Sequence, residues 1–228
     1  MTPLETEITA LKKELVSMWM LVQSQMNKAK EALVTFDKDL AREVLIKEKR
    51  VNSFELKIDR DCENIFALYC PVAVDLRFLL AALKINTNLE RIGDIAAGIA
   101  LHVIESIENF DAKKLESTQL LRMYDESINI LIDTRMAFEK EDTALARSIF
   151  KRDDVLDEIN EKAPVAIADL IRADLNTLPE ALYILSIIRK LERVGDQSKN
   201  IAEEIIFYVE AKILKHQESA NRRLEGEE

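Results

Sequence analysis

Leu4, Ile8, Leu11, Leu15, Met18, Val22, Met26, Ala29 and Leu33 recur at steps of mostly three and four, the spacing of one buried stripe on a long helix. Thr2-Pro3 just before it suits a cap followed by a first-turn proline. A polar break at Phe36-Asp37-Lys38-Asp39 leads to a second stripe, Leu40, Val44, Val51, Phe54, Ile58, Ile65 and Leu68. That stripe stops before Cys70-Pro71, as a helix does ahead of proline. A third runs from about 72 to 107 through Leu76, Leu83, Leu89, Ile92, Ile99 and Val103. After Asn109-Phe110-Asp111 the plan restarts, with helical periods over about 115–138, 141–173 and 178–214. The charged stretch 216–228 is expected to fray.

The two series match residue by residue. Leu40, Val44, Val51, Phe54 and Ile58 return 105 positions later as Leu145, Ile149, Leu156, Ile159 and Ala163. LERIGDIAAGIA, from Leu89 to Ala100, returns 102 positions later as LERVGDQSKNIA, with seven of twelve positions identical. The change of offset falls near Pro71 in one copy and within 163–178 in the other. The expected architecture is all-α: two tandem antiparallel three-helix bundles related by an internal repeat, over 1–109 and 112–215.

Composition narrows the options. Glycine and proline number four each in 228 residues, too few for the turns a sheet or barrel needs. A hydrophobic share of 48% excludes a disordered chain. The net charge of -10 disfavours nucleic acid as a partner and suits cations or basic protein patches. No apolar run approaches the ~18 residues of a membrane span, and the acid-containing N-terminus reads as lacking a secretory signal. Cys62 and Cys70, eight apart on what reads as one helix, are expected to be buried thiols in a reducing compartment. Trp19 lies one position past Met18; its size points to core or inter-bundle packing rather than an exposed anchor.

The candidate chemistry sits in the repeated block. Glu90 and Asp94, and their counterparts Glu192 and Asp196, are each four apart and share a helix face. With Leu89 and Ile92 as core positions, both acids point away from the interior. The second helix of each half offers Glu48 with Asn52, and Asp153 with Asp157; with Val44 and Val51 as core positions, these also face outward. Exposed acids on an acidic helical protein also read as a plain solvated face. Against that, like charges four apart cost ~0.2–0.5 kcal/mol per pair. Gly93 and Gly195, each just before the aspartate, cost ~1 kcal/mol apiece in mid-helix. Close helix packing and room for a ligand are both open readings of these glycines. Oxygen donors without histidine or cysteine favour magnesium or manganese, with iron also open. The second-half set is expected to bind better because all four of its members are acids. An inward-facing di-iron site is excluded, since neither His102 nor His216 has a glutamate three residues before it. A phosphate-binding glycine loop, a Gly-x-Ser-x-Gly elbow and a Cys-x-x-Cys pair are all missing, so catalysis is not expected.

The doubled LER[IV]GD block, the Pro71-Val72-Ala73-Val74-Asp75-Leu76-Arg77 lead-in and the closing Asn200-Ile201-Ala202-Glu203 resemble the PhoU family of phosphate-signalling regulators, over about residues 1–215. The resemblance implies a cytoplasmic, non-enzymatic adaptor that restrains the phosphate regulon. Such an adaptor is often a homodimer. It links a phosphate ABC transporter ATPase to a sensor histidine kinase, and meets the membrane only through those partners. The resemblance also implies metal clusters on E(D)xxxD motifs, which fall here on Glu48/Asn52, Glu90/Asp94, Asp153/Asp157 and Glu192/Asp196, with iron, zinc, magnesium or manganese as candidate ions. Two departures stand out: Asn52 replaces an acid, and Gly98 stands where the second half has Asn200. An accessory protein of another phosphate transporter, and a metal-storage or metal-dependent hydrolytic protein, are the alternatives.

Overall fold

The computed structural model describes residues 2–214, and the charged stretch 216–228 lies outside them. Three long helices open the chain: α1 (Pro3–Thr35), α2 (Lys38–Tyr69) and α3 (Ala73–Glu105). A short α4 (Ala112–Ser117) precedes the second series, α5 (Leu120–Lys140), α6 (Thr143–Ala173) and α7 (Leu178–Glu210). A 3-10 turn, Leu175–Thr177, joins the last two.

Local chemistry sets most of the ends. Thr2 and Glu5 form a reciprocal capping box, with Pro3 in the first turn of α1. Phe36 turns left-handed to close α1, and the Asp37 carboxylate then accepts from the Asp39 and Leu40 amides to open α2. The same device returns 105 residues on: Glu141 turns left-handed and Asp142 accepts from Ala144 and Leu145. Two boundaries differ from the sequence reading. The period over 115–138 is broken, because Thr118 ends α4 and left-handed Gln119 restarts the chain as α5. Left-handed Ala211 ends α7 at Glu210 rather than near 214. The offset change is also explained. Cys70, Pro71 and Val72 are three connecting residues between α2 and α3, whereas α6 gives way almost directly to the 3-10 turn, which replaces the first turn of α3.

Helices α1–α3 pack on one another, as do α5–α7, and α3 packs along α7 between the two sets. The α3–α7 pairs run antiparallel: Lys84 with Glu204, Asn88 with Asn200, Gly98 with Lys190, and His102 with Ser186. Under the 102-residue repeat the first and last pairs are images of each other, and so are the middle two. The halves therefore meet as the subunits of a twofold dimer do. A second symmetric couple links α1 and α5. Trp19 Nε1 donates to the Leu131 carbonyl at 3.1 Å, and the Tyr124 hydroxyl donates to the Met26 carbonyl at 3.1 Å. Trp19 corresponds to Tyr124, and Met26 to Leu131, at the 105 offset. Trp19 is fully buried and stacks toward Phe138 at 5.8 Å, which bears out its expected place in inter-bundle packing. Fully burying large aromatic side chains on both sides makes this joint part of one continuous core.

The cysteines depart from expectation. Cys62 is buried, but Cys70 is exposed and caps α2 in a left-handed conformation instead of lying within the helix.

Candidate functional site

In the second half, α6 and α7 bring all four expected acids together. Glu192 is held above its ordinary carboxyl range by burial first, then by Asp196, Asp157 and Asp153. Asp153, however, does not face outward: it is 1% exposed. It sits on the buried stripe of α6 between Ile149 and Leu156, at steps of four and three, so the spacing itself placed it inside. Gly195 makes the space. A Cβ at that position would collide with Asp153 Oδ1 and stand 2.7 Å from Leu156 Cδ1. Of the two readings left open for the glycines, Gly195 serves close packing, specifically the entry of a carboxylate between two helices.

A cation is already present in this cluster. The Lys199 ammonium pairs with Asp153 Oδ2, and with Asp196 Oδ1 at 3.0 Å. Burial opposes the charge on Lys199, but its bonds to Asp153 and Asp196 outweigh that and hold its pKa above the ordinary lysine value. Burial pushes Asp153 up to about 6, against the pull of Lys199. The ion pair of a buried carboxylate with a firmly charged ammonium makes the ionised form of Asp153 the one to expect at neutral pH. Asp153 Oδ1 is buried with no hydrogen-bond partner among the described residues.

The first half is built differently around the same motif. Its counterpart of Asp153 is Glu48, which is half-buried rather than sealed. Gly93 would set a Cβ 3.2 Å from Val51 Cγ1 and 3.4 Å from Gln25 Oε1, so it lies against apolar packing and a buried amide. The α2 acid acting on Glu90 is Glu55, which sequence reasoning missed. Burial first, then Asp94 and Glu55, push Glu90 up to about 7. Glu55 is itself raised by burial, Asp59 and Asp94. Asn86, buried on α3, donates to Asp59 Oδ1 and to the Glu55 carbonyl, both at 2.9 Å. The second half carries Asn160, Pro164 and Ile188 at the matching positions, so this set belongs to one half alone. The available signal was the spacing of Glu55 and Asp59, another acid pair four apart on α2.

Lys199 has no equivalent here either, because α3 carries Ala97 at that position. Two buried acceptors, Asn52 Oδ1 and Gln25 Oε1, lack hydrogen-bond partners among the described residues. Asp94 is exposed and Glu90 half-buried, with Arg91 the cation that moderates Glu90. The two clusters therefore differ in charge balance. The four-acid set is partly neutralised from within, whereas among the described residues no lysine pairs with the carboxylates of the first-half set. Among the described residues, no three His, Cys, Asp or Glu side chains are gathered closely enough to hold a metal ion as they stand. His102 is a packing residue: its Nε2 lies 2.9 Å from the Ser186 hydroxyl in the α3–α7 joint.

The PhoU domain family matches twice, over residues 15–103 and 120–205, one match to each half. The chain is 34% identical over 214 residues to phosphate-specific transport system accessory protein PhoU homolog 1 of Thermotoga maritima, covering 92% of this chain and 90% of that one. It is 31% identical to the Escherichia coli phosphate-specific transport system accessory protein PhoU, covering 92% of this chain and 86% of that protein. The crystal structure of PhoU from Pseudomonas aeruginosa superposes with a TM-score of 0.85 at 29% identity, covering 91% of this chain and 99% of that one. The phosphate transport system regulatory protein PhoU from Streptococcus pneumoniae gives 0.81 at 26% identity, over 93% and 99%.

Proposed function

This chain belongs to the PhoU family, and from that premise we propose that it is a phosphate-transport accessory protein that restrains phosphate-regulon signalling by docking, not by catalysis. The observation that carries the reading is the paired LER[IV]GD block, placed on equivalent faces of α3 and α7 in a pseudo-twofold molecule. Two similar faces on one chain suit an adaptor with two partners: a phosphate ABC transporter ATPase and a sensor histidine kinase. No helix among the described residues is long and apolar enough to cross a membrane. The protein then works at the cytoplasmic side, as a homodimer, and reaches the membrane through those partners. The net charge of -10 steers it toward basic patches, an attraction that weakens with salt. The units we assign are 1–109 and 112–215.

Metal binding is the second part of the reading, and it favours the first half. Glu55, Asp59, Glu90 and Asp94 supply oxygen donors of the kind magnesium and manganese take, with iron and zinc as further candidates. A bound cation would offset both the burial and the Asp94 and Glu55 charges that push Glu90 up to about 7. Asn52 and Glu48 lie on the same helix and would enter through rotamer changes.

Deleting the gene tests the docking role. Phosphate-starvation genes should then be expressed even when phosphate is plentiful, and the purified chain should bind the ATPase or the kinase at low salt. Unchanged expression together with no binding to either partner would overturn the adaptor reading and favour a metal-storage protein.

A further inference from the structure

We propose that Lys199 is a tethered cation that closes the second-half carboxylate cluster to metal ions, so that cation binding by this chain is confined to its first half. The confinement rests on the metal reading above; the closure by Lys199 stands without it.

The repeat makes the substitution visible. LERIGDIAAGIA has Ala97 where LERVGDQSKNIA has Lys199, three positions after the motif aspartate. From there the lysine loops back to Asp196 on its own helix and crosses to Asp153 on α6. An ammonium on the same chain is presented at an effective concentration on the order of millimolar. A divalent ion must displace it and also shed hydration water, which magnesium does reluctantly. Asp153 offers such an ion little. Its Oδ2 is taken by Lys199, and its Oδ1 is sealed against Gly195.

Gly195, Asp153 and Lys199 therefore work as one unit: the glycine admits the carboxylate, the carboxylate draws in the ammonium, and the ammonium occupies the centre. Only the glycine is shared by the first half, where it meets Val51 and Gln25. The donor residue types alone would place a metal in both halves; the contacts place an organic cation in one.

Manganese(II) binding to the full chain, followed by electron paramagnetic resonance, tests the closure. The wild type should show manganese binding that is unchanged by Asp196→Asn and reduced by Asp94→Asn. Lys199→Met keeps the length of the side chain and removes its charge. This variant should gain one further ion, held about tenfold tighter than any second-half binding in the wild type, and Asp157→Asn on that background should abolish the gain. Absence of a gain in Lys199→Met, or loss of wild-type binding in Asp196→Asn, would overturn the proposal. If the wild type binds no manganese and Lys199→Met binds one, the first-half metal reading fails while the closure stands. Acetylation of lysines in the wild type, read by mass spectrometry, gives an answer that needs no variant. Lys199 should react slowly and at the same rate with or without manganese. A faster reaction with manganese present would mean that the ion displaces the ammonium, and would overturn the closure.

Discussion

The two halves of this protein share helix order, capping and a seven-in-twelve identical block, yet they solve the same electrostatic problem differently. Each gathers carboxylates between its second and third helices. In α6–α7 one acid is buried and an ammonium from the same chain is fixed beside it. In α2–α3 the acids stay nearer solvent and gain Glu55 and Asp59; burial first, then the Asp94 and Glu55 charges, raises Glu90. The difference teaches that a duplicated motif conserves the positions of donors without conserving their charge balance. A single replacement one turn away, Ala97 against Lys199, changes what the cluster can accept.

The largest expected effect that could break this comparison comes from the paired glycines. Gly195→Ala drives a Cβ into Asp153 and Leu156, and should cost about 3 kcal/mol in overpacking and disturbed ion pairing. Gly93→Ala meets Val51 Cγ1 at 3.2 Å; a small shift there is offset by ~1 kcal/mol of helix propensity, so it should be near neutral. Urea unfolding of both variants checks the contrast, and equal losses would mean that the glycines do the same job.

Next in size is Lys199→Ala. It leaves buried Asp153 without its counter-charge and should cost about 2 kcal/mol, a figure discounted from fully buried pairs because the lysine is partly exposed. The destabilisation should shrink when Asp153→Asn is added, since the amide needs no counter-ion. Additive losses in that double-mutant cycle would deny the coupling.

A smaller effect probes the symmetry of the α1–α5 joint. Tyr124→Phe removes one hydrogen bond, to the Met26 carbonyl, and should cost about 1 kcal/mol. Because Trp19 makes the equivalent bond to Leu131, its fluorescence should shift little in that variant. A large red shift would show the two bonds to be one cooperative unit.

The smallest effect is in pH. Glu90 is pushed from the ordinary 4.5 up to about 7, chiefly by burial and then by Asp94 and Glu55. Between those values the folded chain holds more protons than the unfolded one, so the contribution of Glu90 to stability falls as pH rises through that window. Glu90→Gln should therefore raise the melting temperature more at pH 8 than at pH 5. A gain independent of pH would place the repulsion elsewhere. Magnesium or manganese added to the wild type at pH 8 should give a gain of the same sign if the first-half acids take a cation.

The helices, their order and the repeat were legible in the sequence because each depends on local rules. Stripes at three and four steps mark the faces of α1, α2 and α3, and the aspartates at 37 and 142 cap where a cap is needed. The division of α4 from α5 was not legible: the hydrophobic period continues across Thr118 and Gln119, and only the left-handed turn interrupts it. The acid pairs could be found, but their facing could not be trusted to one heptad register. Asp153 falls on the buried stripe between Ile149 and Leu156, but a carboxylate there is disfavoured until Gly195 is seen to make room for it and Lys199 to pair with it. What only the tertiary structure decided is what lies across each helix boundary: Lys199 reaching from α7 to α6, Glu55 joining Glu90 and Asp94, and the antiparallel α3–α7 joint. The physical reason is range. Capping and periodicity act within a turn or two of one helix, whereas burial and charge balance are set by neighbours more than 30 positions away along the chain, brought within a few ångströms by packing.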